Sequence, residues 1–159
     1  MGPLSLPISG CVYLDANAII YSYELVEPYR TLLEPVWLGA GPHTYDIITS
    51  ELTLLEVLVG PIKQGNSTLQ AGFKRLLLRS TDVRSVSISQ PVLERAAQLR
   101  ATTGLKTPDA IHAAAALIEG CALFVTNDVA FRRVPGLTVT VLRDPSPPDL
   151  RPHRRRPPA

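Results

Sequence analysis

Cysteine is scarce in this sequence. Its two residues, Cys11 and Cys121, lie far apart and outside any CxxC or Cys/His cluster. That spacing indicates neither a disulfide framework nor a zinc site, and both residues read as small buried apolar side chains. Long apolar runs are missing too. The longest, such as residues 113–118 and 122–125, fall far short of the roughly 18–20 residues that a membrane span requires. Residues 1–10 contain no Lys or Arg, and Leu6 stands where a myristoylation signal would need Ser or Thr, so a soluble, cytoplasmic protein is expected. Aromatic residues make up only 6%. Tyr21, Tyr23 and Trp37 are therefore read as packing or partner contacts and not as base-stacking platforms.

What is present suits one folded unit. The chain has 159 residues and a mass of 17.3 kDa, within the range of a single domain. With 45% hydrophobic and 19% charged residues it has material for a core and too little charge to be wholly disordered. The net charge of +2 hides an asymmetry. From Arg143 onward five Arg face two Asp, a balance of +3, which leaves the first 142 residues at −1. The last segment, RDPSPPDLRPHRRRPPA, holds six Pro and almost nothing to bury. The expected organisation is an extension at 1–10, a folded unit at 11–142 and a solvated tail at 143–159, with Arg154, Arg155 and Arg156 serving solubility more than phosphate binding.

Within 11–142, short apolar runs alternate with segments of helical period. The strand-like runs are 11–14, 46–49, 83–88, 122–126 and 138–142, and helix-like segments cover 16–24, 29–38, 50–64, 68–79, 89–103 and 108–119. This order predicts βαβ units: an α/β fold with a central, mainly parallel five-stranded sheet covered by helices on both faces. The helix DAIHAAAALIEG is the most consistent element. Thr107 and Pro108 read as N-cap and first helical residue, Gly104 and Gly120 as left-handed caps of the helices they follow, and its alanines allow close approach to the sheet.

In open parallel sheets, ligands bind beyond the carboxyl ends of the strands. Asp15 ends the first strand-like run, Asp128 follows the fourth, and Asp109 opens the helix leading into it. Glu56 is informative because the core-facing stripe of SELTLLEVLVG reads Leu52, Leu55, Glu56 and Val59, which sets a carboxylate on a seam meant for burial. It needs a cation, a donor network or a wet cleft there, or it reaches solvent from the edge of the stripe. Converging carboxylates repel by roughly 4 kcal/mol per pair at 4 Å and an effective dielectric near 20. A divalent metal would offset this. Hard oxygen donors without His or Cys favour Mg²⁺ or Mn²⁺, and the implied chemistry is metal-assisted phosphodiester hydrolysis.

The blocks VYLDANAIIY (12–21), ITSELTLLEVLVGP (48–61), TPDAIHAAAAL (107–117) and FVTNDVAF (124–131), in that order and spacing, resemble the PIN-domain ribonucleases, and among them the VapC-like toxins of toxin–antitoxin pairs. The resemblance implies a three-layer α/β/α sandwich and a Mg²⁺- or Mn²⁺-dependent endoribonuclease. Its implied partners are RNA, a cognate antitoxin that inserts a basic side chain into the acidic groove, and a second copy of the chain. Asp15 and Asp109 correspond to the principal metal ligands, completed by Glu56 and Asp128. Asn17, Ser50, Thr126 and Asn127 correspond to residues that orient carboxylates or waters, although Asn17 equally suits a helix cap. Ala16 replaces a hydroxyl residue frequent in the family.

Other residues carry less. Arg132 and Arg133 follow the last acidic block closely enough to touch a phosphate. The segments 16–24 and 29–38 are candidates for antitoxin and dimer contacts. His112 reads as a hydrogen-bonded core or rim residue and not as a ligand. Two other functions compete: a non-catalytic PIN-type binding module, which a full acidic set argues against, and a haloacid dehalogenase-type phosphatase. The phosphatase needs a second Asp at position 17, where this chain has Asn.

Overall fold

The computed structural model describes residues 4–143; the tail expected at 143–159 lies, apart from Arg143, outside them. Five strands, β1 (Gly10–Leu14), β2 (Tyr45–Ser50), β3 (Arg84–Val86), β4 (Leu123–Thr126) and β5 (Val139–Val141), form one sheet in the order β3-β2-β1-β4-β5. Every adjacent pair is parallel. The helices are α1 (Ala16–Tyr23), α2 (Tyr29–Gly39), α3 (Leu52–Lys63), α4 (Ser67–Leu78), α5 (Gln90–Thr103) and α6 (Thr107–Ile118), with a 3-10 turn at Val129–Arg133. The expected three-layer α/β/α architecture is present.

Side-chain alternation along β1 divides the interior in two. Val12 and Leu14 join Ile47, Leu123 and Val125 beneath Ile19, Leu33, Val57 and Phe73 from α1 to α4. Cys11 and Tyr13 point the other way, with Ile48 and Phe124, into a core closed by Val92, Ala96 and Leu99 of α5 and the alanines of α6. Both faces of the sheet are covered, so its central strand β1 reads as an unbroken apolar run. Leu4, within the expected extension, is itself buried in the first core.

α6 is enclosed on several sides. Ala113, Ala114, Ala115 and Ala116 are all fully buried, and methyl side chains let the helix lie against the sheet, α5 and α3. It begins one residue earlier than the sequence suggests, at Thr107, after Lys106 with no side-chain cap. Pro108 still falls where its missing N–H is harmless. Gly104 and Gly120 adopt φ +71° and +66°, the left-handed conformation expected after α5 and α6.

α3 departs from the expected stripe. Thr53, Val57 and Pro61 are its buried residues, whereas Leu55, Val59 and Ile62 are 61%, 44% and 59% exposed. The apolar face of α3 is broader than one core contact can cover, and sequence periodicity could not tell which part turns inward. The aromatic residues mostly pack: Tyr21 stacks on Tyr29, Tyr23 lies against Phe73, and Trp37 donates its indole N–H to Ser22. Cys11 and Cys121, 110 positions apart, come into contact with their sulfurs 3.0 Å apart where β1 starts and the chain enters β4. Burial and the neighbouring Cys11 push the Cys121 thiol up.

Candidate functional site

After β3 the chain crosses to the other side of β1 to place β4, so the sheet reverses its winding between β1 and β4. The carboxyl ends of these two neighbours are where a parallel sheet opens a crevice. Asp15 follows β1 and Thr126 ends β4. Asp15 turns extended (φ −73°, ψ 174°) to cap α1, and its Oδ1 accepts from the Ala18 N–H at 2.9 Å. The Thr126 hydroxyl donates to Asp15 Oδ2 at 2.5 Å and accepts from the Asp128 N–H at 3.0 Å. Asp128 in turn caps the 3-10 turn, its Oδ1 accepting from the Ala130 N–H at 2.8 Å. One threonine thus ties together two acids from different loops.

Two helices bring the remaining acids. Asp109 lies in the first turn of α6, where the helix dipole favours a carboxylate. Glu56 comes from the middle of α3, and its Oε2 lies 2.7 Å from His112 Nε2. Asp15, Glu56, Asp109 and Asp128 all line one cleft of ≈ 160 Å³, together with Ala16, Asn17, Ile20, His112 and Phe131. No Lys or Arg is among these lining residues. Burial raises the Asp15 pKa, although hydrogen bonds from Thr126 and Ala18 and the neighbouring His112 act to lower it. Asp109 is raised as well, first by burial and then by the charge of Asp128. Negative charge in this cleft is therefore under-compensated by the protein itself.

The supporting residues divide. Asn17 lines the cleft and Thr126 contacts two of the acids. Ser50 is buried and accepts from the Leu52 N–H, shaping the start of α3. Asn127 donates to the Tyr21 hydroxyl and accepts from the Arg143 N–H, and it is not among the residues lining the cleft. Arg132 and Arg133 sit on the 3-10 turn that Asp128 caps, outside the cleft lining, and Arg133 donates to the Thr103 carbonyl. His112 is the hydrogen-bonded rim histidine that the sequence suggested, but it also lines the cleft and grips Glu56. Its spacing three residues after Asp109, on one face of α6, was the available signal.

The donor set, four carboxylates and no thiol, suits a hard dication. Their spacing is open: among the described residues no three His, Cys, Asp or Glu side chains form a ready-made metal cage. No helix among the described residues is long and apolar enough to cross a membrane.

Comparison with known proteins bears on the fold and the family. No curated protein matches the chain. Among solved structures, a toxin–antitoxin complex from Klebsiella pneumoniae is 25% identical with a TM-score of 0.63, covering 84% of this chain and 98% of that one. VapBC2 from Rickettsia felis, bound to a DNA fragment from its promoter, is 20% identical with a TM-score of 0.64 over 82% and 98%. The sarcin–ricin loop cleaving toxin VapC20 of Mycobacterium tuberculosis shares the fold at 15% identity and a TM-score of 0.60, over 71% and 86%. The PIN domain family model matches residues 12–137, a span that contains all four acids, and the chain belongs to the PIN domain family.

Proposed function

We propose that this protein is a divalent-metal-dependent endoribonuclease and the toxin member of a toxin–antitoxin pair. The observation carrying this reading is the convergence of four carboxylates from β1, α3, α6 and the end of β4 on one cleft with no basic residue but His112 in its lining. Asp15 and Asp109 would be the principal holders of Mg²⁺ or Mn²⁺, with Glu56 and Asp128 completing the set directly or through water. The ion would supply a water of lowered pKa and neutralise charge on the phosphorus oxygens. Thr126 fixes the rotamer of Asp15 and the backbone of Asp128, so the two acids beside the sheet enter the reaction pre-oriented. Asn17 would orient a water or carboxylate, and Arg132 and Arg133 would contact the RNA backbone beside the cleft.

Likeness to the Klebsiella pneumoniae complex supports an antitoxin partner. The exposed Leu55, Val59 and Ile62 of α3, on the helix that carries Glu56, add an apolar surface to the α1 and α2 contacts proposed for antitoxin and homodimer. The decisive experiment is cleavage of RNA by purified protein. Activity is expected with Mg²⁺ or Mn²⁺, and Asp15→Asn or Asp109→Asn should reduce it to background while leaving the folded chain intact. Undiminished cleavage in excess chelator would overturn the metal dependence. The open spacing of the acids favours one other reading, a non-catalytic PIN-type binding module; wild-type protein that binds RNA but leaves it intact with either metal would establish it.

A further inference from the structure

Glu56 differs from the other three acids in how it is held. Asp15, Asp109 and Asp128 lie at helix or turn starts. Glu56 stands in mid-helix on a long, flexible side chain that is 27% exposed, and a single contact, His112 Nε2 at 2.7 Å, constrains its carboxylate. Behind it, His112 is 3% exposed and its Nδ1 lies 2.6 Å from the hydroxyl of Tyr13, which is wholly buried on β1 between the sheet and α6. A line of two short hydrogen bonds therefore runs from the centre of the sheet to the cleft.

The chemistry of the three groups sets its direction. Burial raises the Tyr13 pKa well above its ordinary value, so the phenol keeps its proton, and its hydroxyl can donate to Nδ1 or accept from it. The carboxylate decides the other end: its oxygens accept, so at 2.7 Å Nε2 is the nitrogen that carries a proton and donates to Glu56. The opposite tautomer would set a bare Nε2 lone pair against Glu56 Oε2 at 2.7 Å.

We propose that His112 is a positioning residue, held on its far side by Tyr13, that donates from Nε2 to Oε2 of Glu56 and leaves Oε1 available to the cleft. This rests on the metal-nuclease reading for its consequence but not for its geometry. It assigns the histidine to holding a carboxylate, not to proton transfer or metal ligation. Outer residues of this kind typically change metal affinity by about 10–100-fold when removed.

Two measurements test it. Nitrogen NMR of the metal-free wild-type protein at neutral pH should show a proton on His112 Nε2; a bare Nε2 overturns the assignment. Mn²⁺ titration should show affinity about 10–100-fold weaker in His112→Ala, with most of it restored in His112→Gln, whose amide can donate from a similar position. A folded His112→Ala that binds Mn²⁺ as wild type does overturns the positioning role alone. Failure of wild-type protein to bind Mn²⁺ counts against the metal-nuclease reading, while the NMR result still decides whether Nε2 donates to Glu56.

Discussion

Asp109 is raised by burial and by Asp128, and the consequence for stability has a definite sign. A carboxyl with a folded pKa above its unfolded value binds its proton more tightly when folded. Stability is then lost as pH climbs from about 3.9, the unfolded value, through the folded pKa, and the deficit persists above both. Asp109→Asn cannot ionise. In chelator at pH 7 it should melt above wild type, and the gap should close towards pH 4; a variant that melts below wild type at pH 7 would contradict the cleft electrostatics. Thr126 offers a second test. Thr126→Val keeps the shape but removes the hydroxyl that donates to Asp15 and accepts from Asp128, and should lower stability by about 1–3 kcal/mol in denaturant titration. At this scale the sequence was a partial guide. Asp15, Asp109 and Asp128 were legible because each follows a strand or opens a helix. The orientation of the Asn127 amide towards Tyr21 and Arg143 was not, since a side chain's partner depends on what folds against it.

At the scale of elements, α6 and α3 present opposite cases. The four consecutive alanines of α6 are wholly buried, so added volume has nowhere to go. Ala114→Leu should lower the unfolding free energy by about 1–3 kcal/mol, which a melting curve would register as a fall of several degrees. Composition, period and the Gly120 stop agreed for this helix, and its place in the fold was readable from residues 107–120, although Thr107 proved to be its first residue and not its cap. For α3 they did not suffice. Leu52, Leu54, Leu55, Leu58, Val59 and Ile62 leave few polar positions, and the buried face proved to be Thr53, Val57 and Pro61. Glu56 reaches the cleft from the margin of that face and not from the stripe expected for it.

The whole molecule gathers four negative groups into one cleft at the point where the sheet reverses its winding. A fold built around such a site should be stabilised by the ion it is proposed to hold. At a Mn²⁺ concentration 100 times its dissociation constant the gain is about 2.7 kcal/mol, a rise of several degrees in melting temperature. The rise should be much smaller in Asp15→Asn, and an equal rise in that variant would place the ion elsewhere.

By itself, the sequence determined the alternation of strands and helices, the covering of both sheet faces and the residues available for chemistry. Those follow from local periodicity, caps and hydrophobic runs, which neighbouring residues decide among themselves. Only the tertiary structure decided that β1 lies beside β4, that Thr126 bridges Asp15 and Asp128, and that Tyr13, His112 and Glu56 form one line. These contacts join residues up to 111 positions apart, and such pairings are set by how whole elements pack, which no local pattern encodes.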